Sequence, residues 1–152
     1  MRSFHSALNA TVSGVTVVTT RVGGRPLGQT VTTLTSLSDE SPLLLVAVSG
    51  EFAAAVNERG GFAVNVLGDD QAALAETFRG ESPEFSDRDW WPVGGGALPR
   101  LHGAAAWFEC RVERVVPAGQ RVLVIGAVTR ASRGSARPLA YVRRGYAAPL
   151  AA

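Results

Sequence analysis

The 152-residue sequence has no lysine, one cysteine, one methionine and two histidines. Each scarcity excludes a class of protein. A lone thiol, Cys110, rules out an internal disulfide and a thiolate metal cage. His5 and His102 stand far apart without ligand spacing, so no metal site is expected. Charged residues make up 18% of the chain, against a usual share of roughly 25%. That balance excludes a disordered chain, an acidic tail and a polybasic arm, and it hints at surface hidden in an oligomer. All 15 basic residues are arginine and scattered, with only Arg143 and Arg144 adjacent. A nucleic-acid partner needs a clustered basic face, so none is expected. No apolar run approaches the roughly 20 residues that cross a bilayer, and the N-terminus shows no signal-peptide core. A soluble, cytoplasmic protein without membrane contact is expected.

Chemistry-bearing motifs are also missing. The chain has no glycine-rich dinucleotide fingerprint, no phosphate loop ending in lysine and no Gly-x-Ser-x-Gly elbow. Asp39-Glu40, Asp69-Asp70 and Asp87 with Asp89 all fall in turn-like sequence, where solvated or capping carboxylates are the default. Cys110 sits in a strand pattern and reads as a buried, inert thiol. His5, in a helix-like segment, and His102, at a strand entrance, read as surface or satisfied side chains. No hydrolytic acid–base team is present.

The remaining pattern is that of strands. Gly14-Val-Thr-Val-Val-Thr-Thr20 is a β-branched run, and the glycine pair at 23–24 suits a hairpin turn into a returning strand over 27–38. Residues 43–48 form a continuous apolar strand, and 62–67 another. The spacing of Phe52, Ala55 and Val56 predicts a helix over 52–58 that Gly60-Gly61 stops. Asp69-Asp70 is expected to cap a second helix over 71–78. Residues 79–99 read as irregular chain. Two longer strands follow over 104–116 and 121–128 around a Pro117-Ala118-Gly119 turn, then a short one over 139–142. About six or seven strands with tight turns favour one antiparallel barrel domain spanning 1–152.

One strand is unusual. From Gly28 to Ser38 six of eleven positions carry hydroxyls, on both faces. Plain β-propensity explains this as readily as a polar wall for a heteroaromatic ring and its phosphate does.

The order of segments resembles the flavin reductase family, the short reductases of two-component flavin monooxygenases. The likeness is carried by Gly14-Val-Thr-Val-Val-Thr-Thr20, Gly24-Arg-Pro-Leu-Gly28, Thr30-Val-Thr-Thr-Leu-Thr-Ser-Leu-Ser38 and Pro42-Leu-Leu-Leu-Val46. It continues through Gly61-Phe-Ala-Val-Asn-Val-Leu67, Pro99-Arg-Leu-His-Gly-Ala-Ala-Ala-Trp-Phe-Glu-Cys110, Gly119-Gln-Arg-Val-Leu-Val-Ile-Gly126 and Pro138-Leu-Ala-Tyr-Val-Arg-Arg-Gly-Tyr146. The resemblance implies a mainly β, FMN-binding split barrel of six to seven antiparallel strands, working as a homodimer with flavin near the subunit interface. It implies NAD(P)H-dependent reduction of FMN or FAD, handed to a monooxygenase met transiently. By the same resemblance Leu27, Gly28 and Gln29 with Thr30, Val31, Thr32 and Thr33 lie along the flavin. Ala47, Val48, Ser49 and Gly50 approach its phosphate, Phe78 and Arg79 flank it, and Tyr146 belongs to the closing motif.

Three positions depart from the family pattern. Gly119-Gln120-Arg121 stands where the family commonly has Gly-Asp-His, the histidine lining the nicotinamide side. Arg121 suits an anion and cannot transfer protons near neutrality, and it is expected to face the pocket as the residue nearest the chemistry. The loop Ser49-Gly50-Glu51-Phe52 lacks the second hydroxyl and the cation of a phosphate grip, and Gln29 replaces an apolar residue. Two alternatives stay open: a biosynthetic enzyme of secondary metabolism that holds a polycyclic or heteroaromatic substrate in the same barrel, and a binding barrel without turnover.

Overall fold

The computed structural model describes residues 1–80, 85–86, 90–91 and 97–148. A short helix α1 (Arg2–Leu8) leads into β1 (Val12–Gly14) and then β2 (Thr16–Val22). Gly23 and Gly24, at φ +57° and +76°, turn β2 into β3 (Arg25–Val31), because a two-residue hairpin loop needs left-handed backbone at both positions. The expected strand over 27–38 is broken. Its second half is β4 (Thr35–Ser38), which pairs not with β2 but with β5 (Leu43–Val48). Helix α2 (Gly50–Arg59) starts two residues earlier than its apolar spacing suggested, because the Ser49 hydroxyl accepts from Phe52 N–H at 3.2 Å. It ends at Gly60, whose φ of +78° gives the left-handed cap.

Strand β6 (Gly61–Val66) and helix α3 (Ala72–Thr77) follow. Asp69 and Asp70 do not cap α3. Its N-cap is Gln71, and the Asp69 carboxylate instead pairs with Arg137 at 3.3 Å. The Gln71 amide is likewise turned away, accepting from Gly68 N–H at 2.9 Å and donating to His102 C=O at 2.6 Å. Residues 81–84, 87–89 and 92–96, part of the stretch expected to be irregular, lie outside the described residues. Within it β7 (Trp90–Trp91) pairs with β8 (Arg100–Leu101). Strands β9 (Ala106–Ala118) and β10 (Arg121–Arg133) form a long hairpin whose loop is Gly119-Gln120, so Pro117 and Ala118 belong to the strand and not to the turn. Strands β11 (Ala140–Val142) and β12 (Gly145–Ala147) join β1 in a small second sheet that the strand spacing did not foretell. Their connection places Arg143 and Arg144 at φ +50° and +63°, a left-handed pair that side chains adopt only at a cost.

The main sheet holds seven strands in the order β3-β2-β6-β9-β10-β5-β4, every neighbouring pair antiparallel. This is the mainly β barrel that the strand pattern and the family likeness both imply. Side chains from six of its strands and from α2 meet in one interior, with Val18, Val46, Val56, Phe62, Val64 and Val124 all essentially sealed from solvent. The opposite face of β2 is sealed too. Val17, with Val15 just before the strand, packs with Leu67, Ala75, Phe78 and Leu101, so β2 is buried on both faces.

Asn65 is wholly buried and fully used: its amide donates to Val17 C=O at 3.0 Å and Thr19 Oγ1 at 3.1 Å, and accepts from Leu101 N–H at 2.9 Å. Thr19 Oγ1 donates onward to Pro99 C=O at 2.7 Å, and Thr20 Oγ1 to Gly61 C=O at 2.9 Å. These hydroxyls satisfy buried backbone and do not line a site.

Cys110 is buried, and burial pushes its thiol up to about 12, with Glu109 acting in the same direction. Because the folded state holds that proton more tightly than the unfolded chain, its stabilising contribution is complete below pH 9 and lost as pH rises toward 12. We expect unfolding free energy to fall across that window by up to about 1.4 kcal/mol per pH unit, read in denaturant melts at successive pH values. A Cβ at Gly126 would lie 2.5 Å from the Phe62 ring and 2.7 Å from Cys110 Cβ, neither free to retreat. Gly126→Ala is therefore expected to lower stability by about 1–3 kcal/mol, with the fold retained by circular dichroism.

Candidate functional site

The break between β3 and β4 carries the chain from one edge of the main sheet to the other, and a cleft of about 470 Å³ opens there. Gln29, Thr30 and Val31 of β3 line it, with Thr32 and Thr33 from the break, Ala47 from β5, Arg79 from the turn after α3 and Arg121 from the start of β10. Among the described residues the lining carries two guanidinia and no carboxylate. Glu51 sits in the first turn of α2 and is not among the residues of the wall.

Three contacts shape this wall. Thr30 N–H donates to Phe78 C=O at 3.0 Å and Thr30 Oγ1 to Ala75 C=O at 2.7 Å, so the end of α3 is stitched to the edge strand. Gly28 makes room for it: a Cβ there would meet two Phe78 ring atoms at 2.8 Å. Across the cleft, Gln29 Oε1 accepts from Ser49 N–H at 2.9 Å and ties β3 to the turn between β5 and α2.

Arg79 is held from below. Its Cζ lies 4.9 Å from the centre of the Tyr141 ring and 5.6 Å from that of Tyr146, two rings packed at 5.4 Å. Glu76 approaches Arg79 Nε only at 3.9 Å, while the Tyr146 hydroxyl donates to the same Glu76 Oε1 at 2.5 Å. Partial burial, the bond to Glu76 and that carboxylate's charge push the Tyr146 phenol up to about 12, against the opposing pull of Arg79. It remains a neutral donor throughout the physiological range.

The sequence-derived residues divide into two sets. Gln29, Thr30, Val31, Thr32, Thr33, Ala47, Arg79 and Arg121 line the cleft together. Leu27 and Val48 pack into the barrel interior, Gly28 and the buried Phe78 form the β3–α3 contact, and Ser49 and Gly50 serve the start of α2. Tyr146 supports Arg79 from outside the wall. Arg121 lines the cleft and is exposed to solvent. Glu76 and Tyr141 were not foreseen. Tyr141 had a signal in the Tyr-x-Arg-x-x-Tyr spacing, whereas Glu76 had none.

A smaller hollow of about 190 Å³ beside Arg100, Trp107 and Ser132 contains no expected site residue; Arg100 lies over the Trp107 ring at 4.8 Å and donates to Ser132 Oγ at 2.8 Å. Among the described residues no group of three or more His, Cys, Asp or Glu could hold a metal, and no helix is long and apolar enough to cross a membrane.

An antiparallel split barrel with a cation-rich cleft at its opening is the architecture of a recognised class. The chain belongs to the flavin reductase like domain family, whose pattern it matches over residues 8–149. It is 38% identical to a probable flavin reductase of Rhizobium meliloti over 97% of its own length, yet spans about half (49%) of that protein. It is 37% identical to the FMN reductase (NADH) SmoA of Agrobacterium fabrum, covering 92% of this chain and 81% of that one. It is 36% identical to the reductase component of 4-hydroxyphenylacetate 3-monooxygenase of Thermus thermophilus, covering 95% and 93%. The NADH:FAD oxidoreductase SgcE6 of Streptomyces globisporus, solved in complex with NAD and FAD fragments, superposes with a TM-score of 0.89 at 27% identity over 99% of this chain and 94% of that one.

Two outcomes test the wall. Gln29→Leu leaves the Ser49 N–H without its partner and is expected to cost about 1 kcal/mol of stability, measured by denaturant melts. A tyrosinate absorbance step near pH 12 is expected in the folded protein and should be absent from Tyr146→Phe.

Proposed function

We propose that the chain is an NAD(P)H-dependent flavin reductase, a single domain over 1–152 that delivers reduced FMN or FAD to a separate monooxygenase. The observation that carries this reading is the cleft lined by the hydroxyl-bearing β3 and the break after it, with one guanidinium from the turn after α3 and one from the start of β10, in a chain of this family. The donor set fits a phosphorylated heteroaromatic ligand. Thr32 and Thr33 offer hydroxyls along one wall, Val31 and Ala47 offer apolar surface for a planar ring, and Arg79 and Arg121 offer positive charge for phosphate.

A bound flavin supplies the two-electron chemistry between nicotinamide and acceptor. What the chain must do is stack the two rings, exclude water and hold the anionic tails. That division of labour accounts for a site with no acid–base pair among its described residues. Arg121, permanently charged, acts here by holding a phosphate or other anion of the incoming nucleotide and not by moving a proton. Around this wall Leu27, Gly28, Val48, Ser49, Gly50 and Phe78 act as supports that fix its shape.

The same reading includes a cytoplasmic homodimer. Phe4 and Leu8 of α1, Val12 of β1 and Leu37 of β4 are apolar side chains about half or more exposed in the single chain, which a second copy would cover.

The test is oxidation of NADH and NADPH followed with and without added FMN or FAD, beside flavin fluorescence quenching. Flavin-dependent oxidation is expected. Arg121→Ala is expected to raise KM for the nicotinamide nucleotide about tenfold, the effect of one lost charged hydrogen bond. The double variant Thr32→Ala, Thr33→Ala should weaken flavin binding by a similar factor. Neither binding nor oxidation in the purified protein overturns this reading and favours a non-flavin substrate in the same cleft.

A further inference from the structure

Arg79 reaches the cleft from outside the main sheet, in the turn leaving α3. Its guanidinium presents five N–H donors in a planar fork, and among the described residues none of them makes a hydrogen bond to protein. The side chain is nevertheless fixed, because the rings of Tyr141 and Tyr146 lie against it. A fork that is held still while its donors stay unspent is suited to a tetrahedral oxyanion.

Among the described residues the carboxylate best placed to neutralise it is Glu76, three residues earlier in the last turn of α3. In that relation a carboxylate and an arginine ordinarily close into an ion pair. Here the approach stops at 3.9 Å, and the oxygen that makes it, Oε1, is the one that receives the Tyr146 hydroxyl. The Glu76 carboxylate therefore spends its better hydrogen bond on the phenol. Sequence gave no sign of this, since the three residues are brought together by the docking of β12 against α3.

We propose that Tyr146 holds the Glu76 carboxylate off the Arg79 guanidinium, and that Arg79, so kept available, grips the phosphate of the flavin in the cleft. This rests on the flavin reading above. It assigns to Arg79 the cation missing from the loop Ser49-Gly50-Glu51-Phe52, where the backbone N–H of Ser49 is already taken by Gln29 and its hydroxyl by Phe52. Arg79 touches the ligand, whereas Tyr146 and Glu76 are positioning residues that act through it. The consequence is selectivity for FMN or FAD over riboflavin, which lacks the phosphate.

The experiment measures dissociation constants of FMN and riboflavin by quenching of flavin fluorescence, and reads their ratio so that a general loss of binding cancels. In Arg79→Gln the FMN-to-riboflavin ratio of Kd is expected to rise about tenfold. Tyr146→Phe removes one hydroxyl and keeps the aromatic shelf; the freed Glu76 closes on Arg79, and the ratio is expected to rise about threefold. Glu76→Gln is expected to lower it by a similar factor. In a Glu76→Gln background, Tyr146→Phe is expected to change nothing. An unchanged ratio in Arg79→Gln overturns the phosphate grip, and an equal effect of Tyr146→Phe with or without Glu76 overturns the positioning role. A wild-type protein that binds neither flavin overturns the flavin reading itself, an outcome distinct from binding both flavins without discrimination.

Discussion

The end of α3 is fastened to the edge strand β3 by two hydrogen bonds from a single residue, Thr30, one through its N–H and one through its hydroxyl. Most of the functional architecture follows from that contact. An edge strand otherwise leaves a row of open backbone groups that invites pairing with another chain. Here the α3 turn occupies part of that edge, and the Phe78 ring can approach it so closely only because residue 28 has no side chain. The same contact fixes where the chain stands when it leaves the helix, and so where Arg79 projects. A wall of the cleft is thus set by packing outside the barrel interior.

Elements whose determinants are local were readable in the sequence. The apolar run at 43–48 became β5 with the same limits, Gly60 ended α2 in a left-handed cap, and Gly23-Gly24 made the first hairpin. Elements decided at a distance were not. The break at residues 32–34 carries no glycine or proline; it exists because β4 finds its partner in β5, on the other side of the barrel from β2. Asp69 has a capping residue's chemistry but meets Arg137, a residue far along the chain that β-strand pairing brings near. Both are cases of tertiary contact overriding a local preference.

The candidate site shows the same division. Within the stretch that the family likeness names, Gln29 and Thr30 line the cleft with side chains already bonded to Ser49 and Ala75, while Thr32 and Thr33 line it with none of those bonds. Ser49 has a hydroxyl and an N–H of the right kind, but both are spent on starting α2 and on Gln29. Glu76 was invisible beforehand because its meaning lies in Tyr146, seventy residues away. Of the six hydroxyls between 28 and 38, that of Thr30 is bonded to Ala75 C=O, while Thr32 and Thr33 line the cleft.

The strand order also governs how the chain reaches this state. Val48 of β5 pairs with Val122 of β10, so the apolar strand at 43–48 has no inner neighbour until the last third of the chain is available. Only the hydroxyl-rich β4 can cover one side of it meanwhile. Contacts of such long sequence separation slow folding, because the loop entropy is lost before the pairing compensates it. During synthesis the nascent barrel is thus a half-built sheet with an exposed hydrophobic margin, and the β9–β10 hairpin, itself local and quick to form, is the piece whose arrival seals it.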